Sequence, residues 1–144
     1  MARPIIIRLE EVSAQPIPGA GPEAGFMKRV LYPPRIETQG LFFAYCECRP
    51  GFSPHRWHTH QGDQAEGYRV EYPPGFEEVY YVIRGQGVMQ WERADGVIAE
   101  LPVGPGDAVF IPPGVPRHQL LNNGPETIQM IGCGQPRPKV TLIK

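Results

Sequence analysis

Three of the four histidines in this chain fall within six residues, at positions 55, 58 and 60, and the fourth is His118. If the segment at residues 58–60 is extended, His58 and His60 project from the same face, because successive side chains of a strand point to opposite faces. Neutral imidazole binds zinc, iron, nickel and copper. His58 and His60 are therefore candidate ligands of one divalent metal ion.

Glu78 and His118 are the side chains expected to complete such a site. Each stands at the start of a short apolar run, residues 78–83 and 118–121. A carboxylate or an imidazole buried at the end of an apolar strand is costly unless it finds a partner. One shared cation would satisfy all four side chains, so we predict a metal site built from His58, His60, Glu78 and His118.

Short strands are the elements that must position these side chains. The 17 Gly and 18 Pro make up about a quarter of the chain, and they fall between short apolar runs. This pattern predicts many turns between many strands, with a tight hairpin at Arg93-Ala94-Asp95-Gly96. The predicted strands are residues 5–9, 28–32, 41–46, 68–72, 78–83, 88–92, 97–101, 108–111, 118–121, 127–131 and 140–143. The fold class is therefore all-β, a sandwich or a barrel.

Composition narrows the classes of partner. A chain of 144 residues predicts one domain, over residues 1–144, and the formal net charge of -1 with scattered Lys and Arg argues against nucleic acid. No apolar run approaches the roughly 18 residues of a membrane span, and residues 1–8 do not form a secretory signal. We therefore expect a cytoplasmic protein with no nucleic-acid or membrane partner. The odd number of cysteines argues against disulfides, and Cys46 and Cys48 are expected to pack as small apolar side chains.

Two spacings in the chain resemble the two sequence motifs of the cupin superfamily. The first set of matching residues is Gly51, His58, His60, Glu78 and Gly85. The second set is Gly106, Pro112, Gly114, His118 and Asn122. The resemblance covers about residues 41–132. It implies the cupin double-stranded β-helix, a jelly-roll barrel or β-sandwich, with one divalent ion on the three histidines and Glu78.

The chain departs from the cupin pattern by an insertion of 17 residues, 61–77, between His60 and Glu78. The insertion is interpreted as a solvated hairpin, a lid over the barrel mouth or an arm that reaches a second subunit. If it shifts the following strand, Glu78 misses the metal, and His55 is the alternate fourth ligand. The sequence leaves these alternatives open.

The alternation of side chains along each strand predicts which residues surround the metal. Tyr80 and Val82 share the face of Glu78, and Leu120 and Asn122 share the face of His118. The aromatic side chains expected to add apolar wall are Trp91, Phe110 and either Phe42 or Phe43. The alternative for each of these residues is plain core packing.

Residues 5–12 and the histidine cluster resemble the small single-domain cupin cyclases of aromatic polyketide pathways in antibiotic-producing bacteria. That resemblance implies an aldol-type cyclisation and aromatisation of an apolar poly-β-ketone, free or tethered to a carrier protein. Zinc is the favoured ion, with iron, manganese or nickel as alternatives, and the candidate bases are Glu78, His55 and Glu77. The other functions considered are an iron-dependent dioxygenase, a small metal-dependent isomerase and a non-catalytic binding module. A homodimer is expected, with residues 5–9 adding to a neighbour's sheet edge.

Overall fold

The computed structural model describes residues 2–65 and 67–142. Eleven strands and two short 3₁₀ turns, Leu9–Glu11 and Pro22–Ala24, make up its regular structure within those residues, which confirms the predicted all-β class. The strands are β1 (Gly25–Leu31), β2 (Phe42–Cys48), β3 (Asp63–Ala65), β4 (Tyr68–Glu71), β5 (Glu77–Arg84), β6 (Gly87–Glu92), β7 (Ile98–Val103), β8 (Ala108–Ile111), β9 (His118–Leu121), β10 (Ile128–Gln135) and β11 (Lys139–Leu142). In the described ranges, neither 3₁₀ turn has the length or the apolar character to span a bilayer.

Two antiparallel sheets enclose the main core. One has five strands in the order β1-β2-β10-β5-β8, and the other has three in the order β7-β6-β9. Val82 on β5 and Met130 on β10 pack in one buried cluster with Met89 on β6 and Leu120 on β9. Alternate side chains of each strand therefore point into a shared interior, as expected for a β-sandwich.

The insertion forms a third sheet. Its strand β4 pairs with β3 on one side and with the C-terminal strand β11 on the other, in the order β11-β4-β3. Tyr68, Val70 and Phe76 are each at most 5% exposed. The predicted hairpin is confirmed, since β3 and β4 pair with each other, but it is not fully solvated, because the alternation of Tyr68 and Val70 gives β4 one apolar face that packs inward.

Residues 5–9 are not a strand. Ile5 and Ile6 are 68% and 76% exposed, and Leu9 begins a 3₁₀ turn. Apolar β-branched residues favour a strand only where a neighbouring strand offers hydrogen bonds and a packing surface, and this segment has neither within the described part of the chain. The hairpin at residues 93–96 is confirmed, since β6 and β7 pair around it and Gly96 has a φ of 82°.

Several strand ends differ from the predicted ones. β1 begins at Gly25, three residues before the predicted start, and β10 continues to Gln135. Both strands lie in the five-stranded sheet against β2, and pairing with β2 extends them through Gly25, Gly132 and Gly134, although glycine is depleted in strands. The predicted strand at 140–143 is β11 up to Leu142, and Ile143 lies outside the described residues.

Candidate metal centre

The backbone brings His58 and His118 together. The two residues form an isolated antiparallel bridge, in which His58 N–H donates to the His118 carbonyl at 3.1 Å and His118 N–H donates to the His58 carbonyl at 3.0 Å. His118 is the first residue of β9, and both side chains are at most 3% exposed. Two stretches of chain that are 60 positions apart in the sequence thus present adjacent imidazoles.

Hydrogen bonds to the backbone define the tautomers of these two imidazoles. His58 Nδ1 lies 2.7 Å from the Arg56 carbonyl oxygen, and His118 Nδ1 lies 2.8 Å from that of Pro116. Because a carbonyl oxygen only accepts, each Nδ1 carries the proton and each Nε2 keeps a lone pair. His118 Nε2 is buried and has no hydrogen-bond partner among the described residues. An imidazole held in this way is oriented as a metal ligand.

His60 joins His58 and His118, and Glu78 lies beside His60. His60 Nε2 lies 3.2 Å from His58 Nε2 and 3.6 Å from Glu78 Oε1. One nitrogen from each of His58, His60 and His118 lies within 4.8 Å of the others. Nitrogens about 2.1 Å from a shared zinc ion lie at most about 4.2 Å apart, so the donors are already near the spacing that one ion requires. Glu78 lies beside His60, whereas the group whose ligand atoms all lie within 4.8 Å of one another consists, among the described residues, of the three histidines.

Burial sets the charge state of the cluster. It lowers the pKa of all three imidazoles, that of His60 to about 3, so at neutral pH they hold the uncharged form that binds metal ions. Burial also raises the pKa of the Glu78 carboxyl to about 8. A bound divalent cation favours the ionised carboxylate and so opposes that rise.

The metal-free protein is expected to lose free energy of unfolding on acidification. Below pH 6.5 the unfolded chain takes up protons on the three histidines, whereas the folded chain keeps them neutral. Proton uptake by the unfolded state alone favours unfolding. The expected loss from about pH 6.5 to about pH 5 is on the order of 1 to 3 kcal/mol, measured by urea denaturation of chelator-treated protein.

Glu78 contributes the opposite dependence in the same experiment. Its pKa is 4.5 in ordinary surroundings and about 8 here, so between these values the folded chain holds a proton that the unfolded chain releases. This proton stabilises the folded state increasingly as the pH falls. The Glu78→Gln variant lacks that contribution and should lose more free energy of unfolding than the unmodified protein. Equal losses in the two proteins would contradict the buried, protonated state of Glu78.

His55, the alternate ligand predicted from the sequence, lies beside the three-histidine cluster. Its ring stacks on His58, with 3.6 Å between ring centroids and 13° between planes. Its Nε2 lies 2.8 Å from Asp63 Oδ2. Asp63 also accepts hydrogen bonds from Arg56 Nη2 and the Tyr68 hydroxyl, each at 3.0 Å. Nε2 of His55 is therefore engaged by Asp63, whereas Glu78 Oε1 lies 3.6 Å from His60 Nε2.

An inner cavity adjoins the cluster and shares Glu78 and His55 with it. Its apolar wall includes Met27, Ala44, Cys46, Val70, Met130 and Val140. Its polar side chains include Arg29, His55, Tyr72, Glu78 and Tyr80. The cavity therefore offers an apolar space with carboxylate and imidazole groups in one part of its wall.

The predicted pocket residues divide between this cavity and other places. Tyr80, Phe42 and Phe43 line the inner cavity. Val82 and Leu120 point inward as predicted, but they fill the core between the two sheets and are at most 1% exposed.

Trp91 and Phe110 line a separate surface groove. The prediction that Phe110 adds apolar wall to the metal pocket is wrong, because Phe110 is 61% exposed while the next residue, Ile111, points inward and is 1% exposed.

Glu77 and Asn122, two further predicted site residues, do not line the inner cavity. Glu77 lies on the opposite face of β5 from Glu78, with its Oε1 3.5 Å from Gln135 Nε2, so strand alternation turns this candidate base away from the cavity. The Asn122 amide donates to the carbonyls of Cys48 and Glu126, each at 2.8 Å. Asn122 thus ties together the loops behind the metal centre rather than lining the pocket.

Asp63, Tyr72 and Phe76 are site residues that the sequence analysis missed. All three belong to the insertion, and the rings of Tyr72 and Phe76 lie 4.7 Å and 4.8 Å from the His60 ring. The sequence does show aromatic residues in the insertion just before Glu78. It does not show that they contact His60, because the path of a long insertion depends on the segments that it packs against.

Comparison with known proteins agrees with this architecture. The profile of the Cupin domain family matches residues 70–132. The polyketide cyclase RemF from Streptomyces resistomycificus superposes with a TM-score of 0.67 at 19% identity, over 99% of this chain and 87% of the other. The chain has the cupin fold. A second cupin-like match is a predicted oxalate decarboxylase from Thermotoga maritima, with a TM-score of 0.64 and 21% identity, over 92% of this chain and 100% of the other.

One sequence relative is a glucose-6-phosphate isomerase from Thermococcus kodakarensis. It is 38% identical over 53 residues, which are 37% of this chain and 28% of the isomerase. The chain therefore matches little more than a quarter of that enzyme's length. For this cupin-fold protein, the comparisons establish the architecture, and the three-histidine group is compatible with a divalent metal site.

Proposed function

We propose that this cupin-fold protein is a metal-dependent polyketide cyclase, in which His58, His60, His118 and Glu78 hold one divalent ion, with zinc favoured. The observation that carries the proposal is the convergence of three neutral imidazoles and Glu78 next to an apolar cavity. The buried His118 Nε2 has no protein partner among the described residues, which supports a missing cation as its partner.

The wall of the inner cavity supports an apolar substrate. Side chains such as Val70, Met130 and Val140 give a folded poly-β-ketone an apolar surface, while Glu78 and His55 mark the reacting end. Such a cavity can hold the nucleophilic carbon near the carbonyl carbon that it attacks. It also keeps bulk water away from the reactive chain.

The proposed chemistry is an aldol closure followed by loss of water. A bound divalent ion would act as a Lewis acid that polarises a substrate carbonyl. His55 is the base that we propose to remove the proton from the substrate carbon, through Nδ1, because its Nε2–H donates to Asp63. The carbon then bonds to the carbonyl carbon, the carbonyl oxygen takes up a proton to give an alcohol, and water is eliminated.

Asp63 is the residue that we expect to hold His55 in the required tautomer. Its pKa is lowered, because burial, which would raise it, is outweighed by the hydrogen bonds from His55 and Tyr68. We expect Asp63→Asn to lower kcat roughly 10- to 100-fold with little change in KM. Tyr68→Phe removes another hydrogen bond to the same carboxylate and serves as the matched control. An equal loss of kcat in both variants would show that only the packing of the insertion matters.

The experiment that tests the function combines metal analysis with turnover. Protein purified without added metal is analysed for its elements and then incubated with a poly-β-ketone chain, with the products separated by mass. Stoichiometric zinc and a cyclised product that has lost water support the cyclase. Iron together with oxygen uptake would instead support the alternative of a dioxygenase with the same ligands.

A metal-dependent isomerase is the second candidate. The observation in its favour is the short match to the glucose-6-phosphate isomerase. A polyhydroxylated sugar needs many hydrogen-bonding partners, whereas the inner cavity is lined mainly by apolar side chains. Isomerisation of a sugar phosphate by the metal-loaded protein, with no cyclisation of the poly-β-ketone, would favour this second candidate.

A further inference from the structure

Arg29 lies where the inner cavity meets the protein surface. It pairs with the buried Ala44 across β1 and β2, so its side chain points to the inner face of the five-stranded sheet. It lines the inner cavity and also an adjoining outer groove between the N-terminal loop, residues 12–20, and the third sheet. Pro18, Tyr32 and Val140 line both spaces as well. Arg29 thus lies at the neck between the outer groove and the inner cavity.

Among the residues that the structure describes, no acidic side chain balances the charge of Arg29. Its Nη1 donates to the amide oxygen of Gln15, and its guanidinium carbon lies 5.7 Å from the centroid of the Tyr32 ring. Throughout residues 2–65 and 67–142, no Asp or Glu oxygen lies within 4.0 Å of the Arg29 guanidinium. A guanidinium has five N–H donors, so most of its hydrogen-bonding capacity is open to a ligand.

The outer groove adds a second arginine side chain to that of Arg29. Arg35 lines it together with Ser13 and Gln15, and the groove has no acidic side chain among its described lining residues. The Arg35 Nη2 atom lies 4.0 Å from Glu11 Oε2, a pair in which both side chains are exposed. Burial lowers the pKa of the Arg29 guanidinium, which shows that its charge is partly desolvated and therefore favours an anionic partner.

We propose that Arg29 is an anion-binding residue at the cavity neck, which recognises a carboxylate or a phosphate on a ligand whose apolar body occupies the inner cavity. Carboxylate and phosphate match the planar donor fork of arginine, which binds both in bidentate fashion. The inference deepens the proposed function, since it rests on the inner cavity as the ligand site. The expected substrate then has an apolar chain near Glu78 and an anionic group at Arg29.

The test compares matched ligands by isothermal titration calorimetry on the metal-loaded protein. Benzoate and benzamide share one apolar ring and differ in charge, and phenyl phosphate carries the other anion. We expect the tighter-binding anion to bind at least about tenfold more tightly than benzamide. Arg29→Gln should remove this preference, and Arg29→Lys should keep part of it. If phenyl phosphate is the tighter ligand, the natural anion is a phosphate, and if benzoate is tighter, it is a carboxylate.

Two controls separate this inference from the proposed metal chemistry. The anions could bind the metal ion instead, so the titrations are repeated with His118→Ala, in which a preference that depends on Arg29 should persist. Arg117→Gln, an exposed arginine paired with Glu92, should bind all three ligands as the unmodified protein does. An equal affinity of the unmodified protein for anions and amide would overturn the proposal, as would an undiminished anion preference in Arg29→Gln.

Discussion

The His118→Ala variant is expected to bind divalent metal at least about a hundredfold more weakly than the unmodified protein. His118 Nε2 is buried, aims into the cluster and has no protein hydrogen-bond partner in the described ranges, so a cation is the partner it lacks. Without it, two imidazoles and one carboxylate remain. His58→Ala should show a comparable loss, because its Nε2 belongs to the same group.

Elemental analysis after dialysis against metal-free buffer measures this loss. Circular dichroism and the urea midpoint establish that each variant remains folded. His55→Ala is the matched control, since its Nε2 is bound to Asp63, and we expect it to retain its metal. A stoichiometric ion in His118→Ala would show that the assigned ligands are incorrect. Loss of the ion in His55→Ala would instead restore His55 as the fourth ligand.

Phe76→Ala is expected to lower the free energy of unfolding by about 3 to 5 kcal/mol. The Phe76 side chain belongs to the insertion and is 2% exposed. Its ring centroid lies 4.8 Å from that of His60, 5.0 Å from that of Tyr72 and 6.0 Å from that of Phe42. Removing the ring leaves a cavity against His60, so the metal affinity should fall as well.

Urea denaturation and metal titration measure the two effects of Phe76→Ala. Phe110→Ala makes the same chemical change at a side chain that is 61% exposed, and it should cost less than about 1 kcal/mol and leave metal affinity unchanged. Similar costs for the two substitutions would contradict the packing of the insertion against the metal centre. A destabilised Phe76→Ala protein with unchanged metal affinity would show that His60 is held by other contacts.

Local patterns were sufficient for much of the fold. The hairpin at Asp95-Gly96 follows from the positive φ that glycine adopts easily, and the β5 strand follows from a short apolar run. The N-terminal run at residues 5–9 has the same local character and is nevertheless not a strand. Strand propensity is realised only through a partner strand, and the sequence does not state which segments have one.

The insertion is the part of the fold that local sequence patterns predict least well. Its apolar alternation at Tyr68 and Val70 was visible, but its pairing with β11 joins segments about 70 positions apart. Such pairing depends on the whole chain. It brings Tyr72 and Phe76 against His60 and places Asp63 on His55, so the surroundings of the metal centre come from a segment that fits neither motif.

The sequence by itself determined the all-β class and nominated His58, His60, Glu78 and His118, because side-chain alternation and motif spacing are local properties. Only the tertiary structure decided that Glu78 lies against His60, that His55 faces Asp63 and that Arg29 lines the inner cavity with no acidic partner among the described residues. These outcomes depend on which distant segments meet and on what each buried polar group finds as a partner. The burial of a polar side chain and the pairing of distant strands are properties of the folded chain, and they determine which candidate residues form a site.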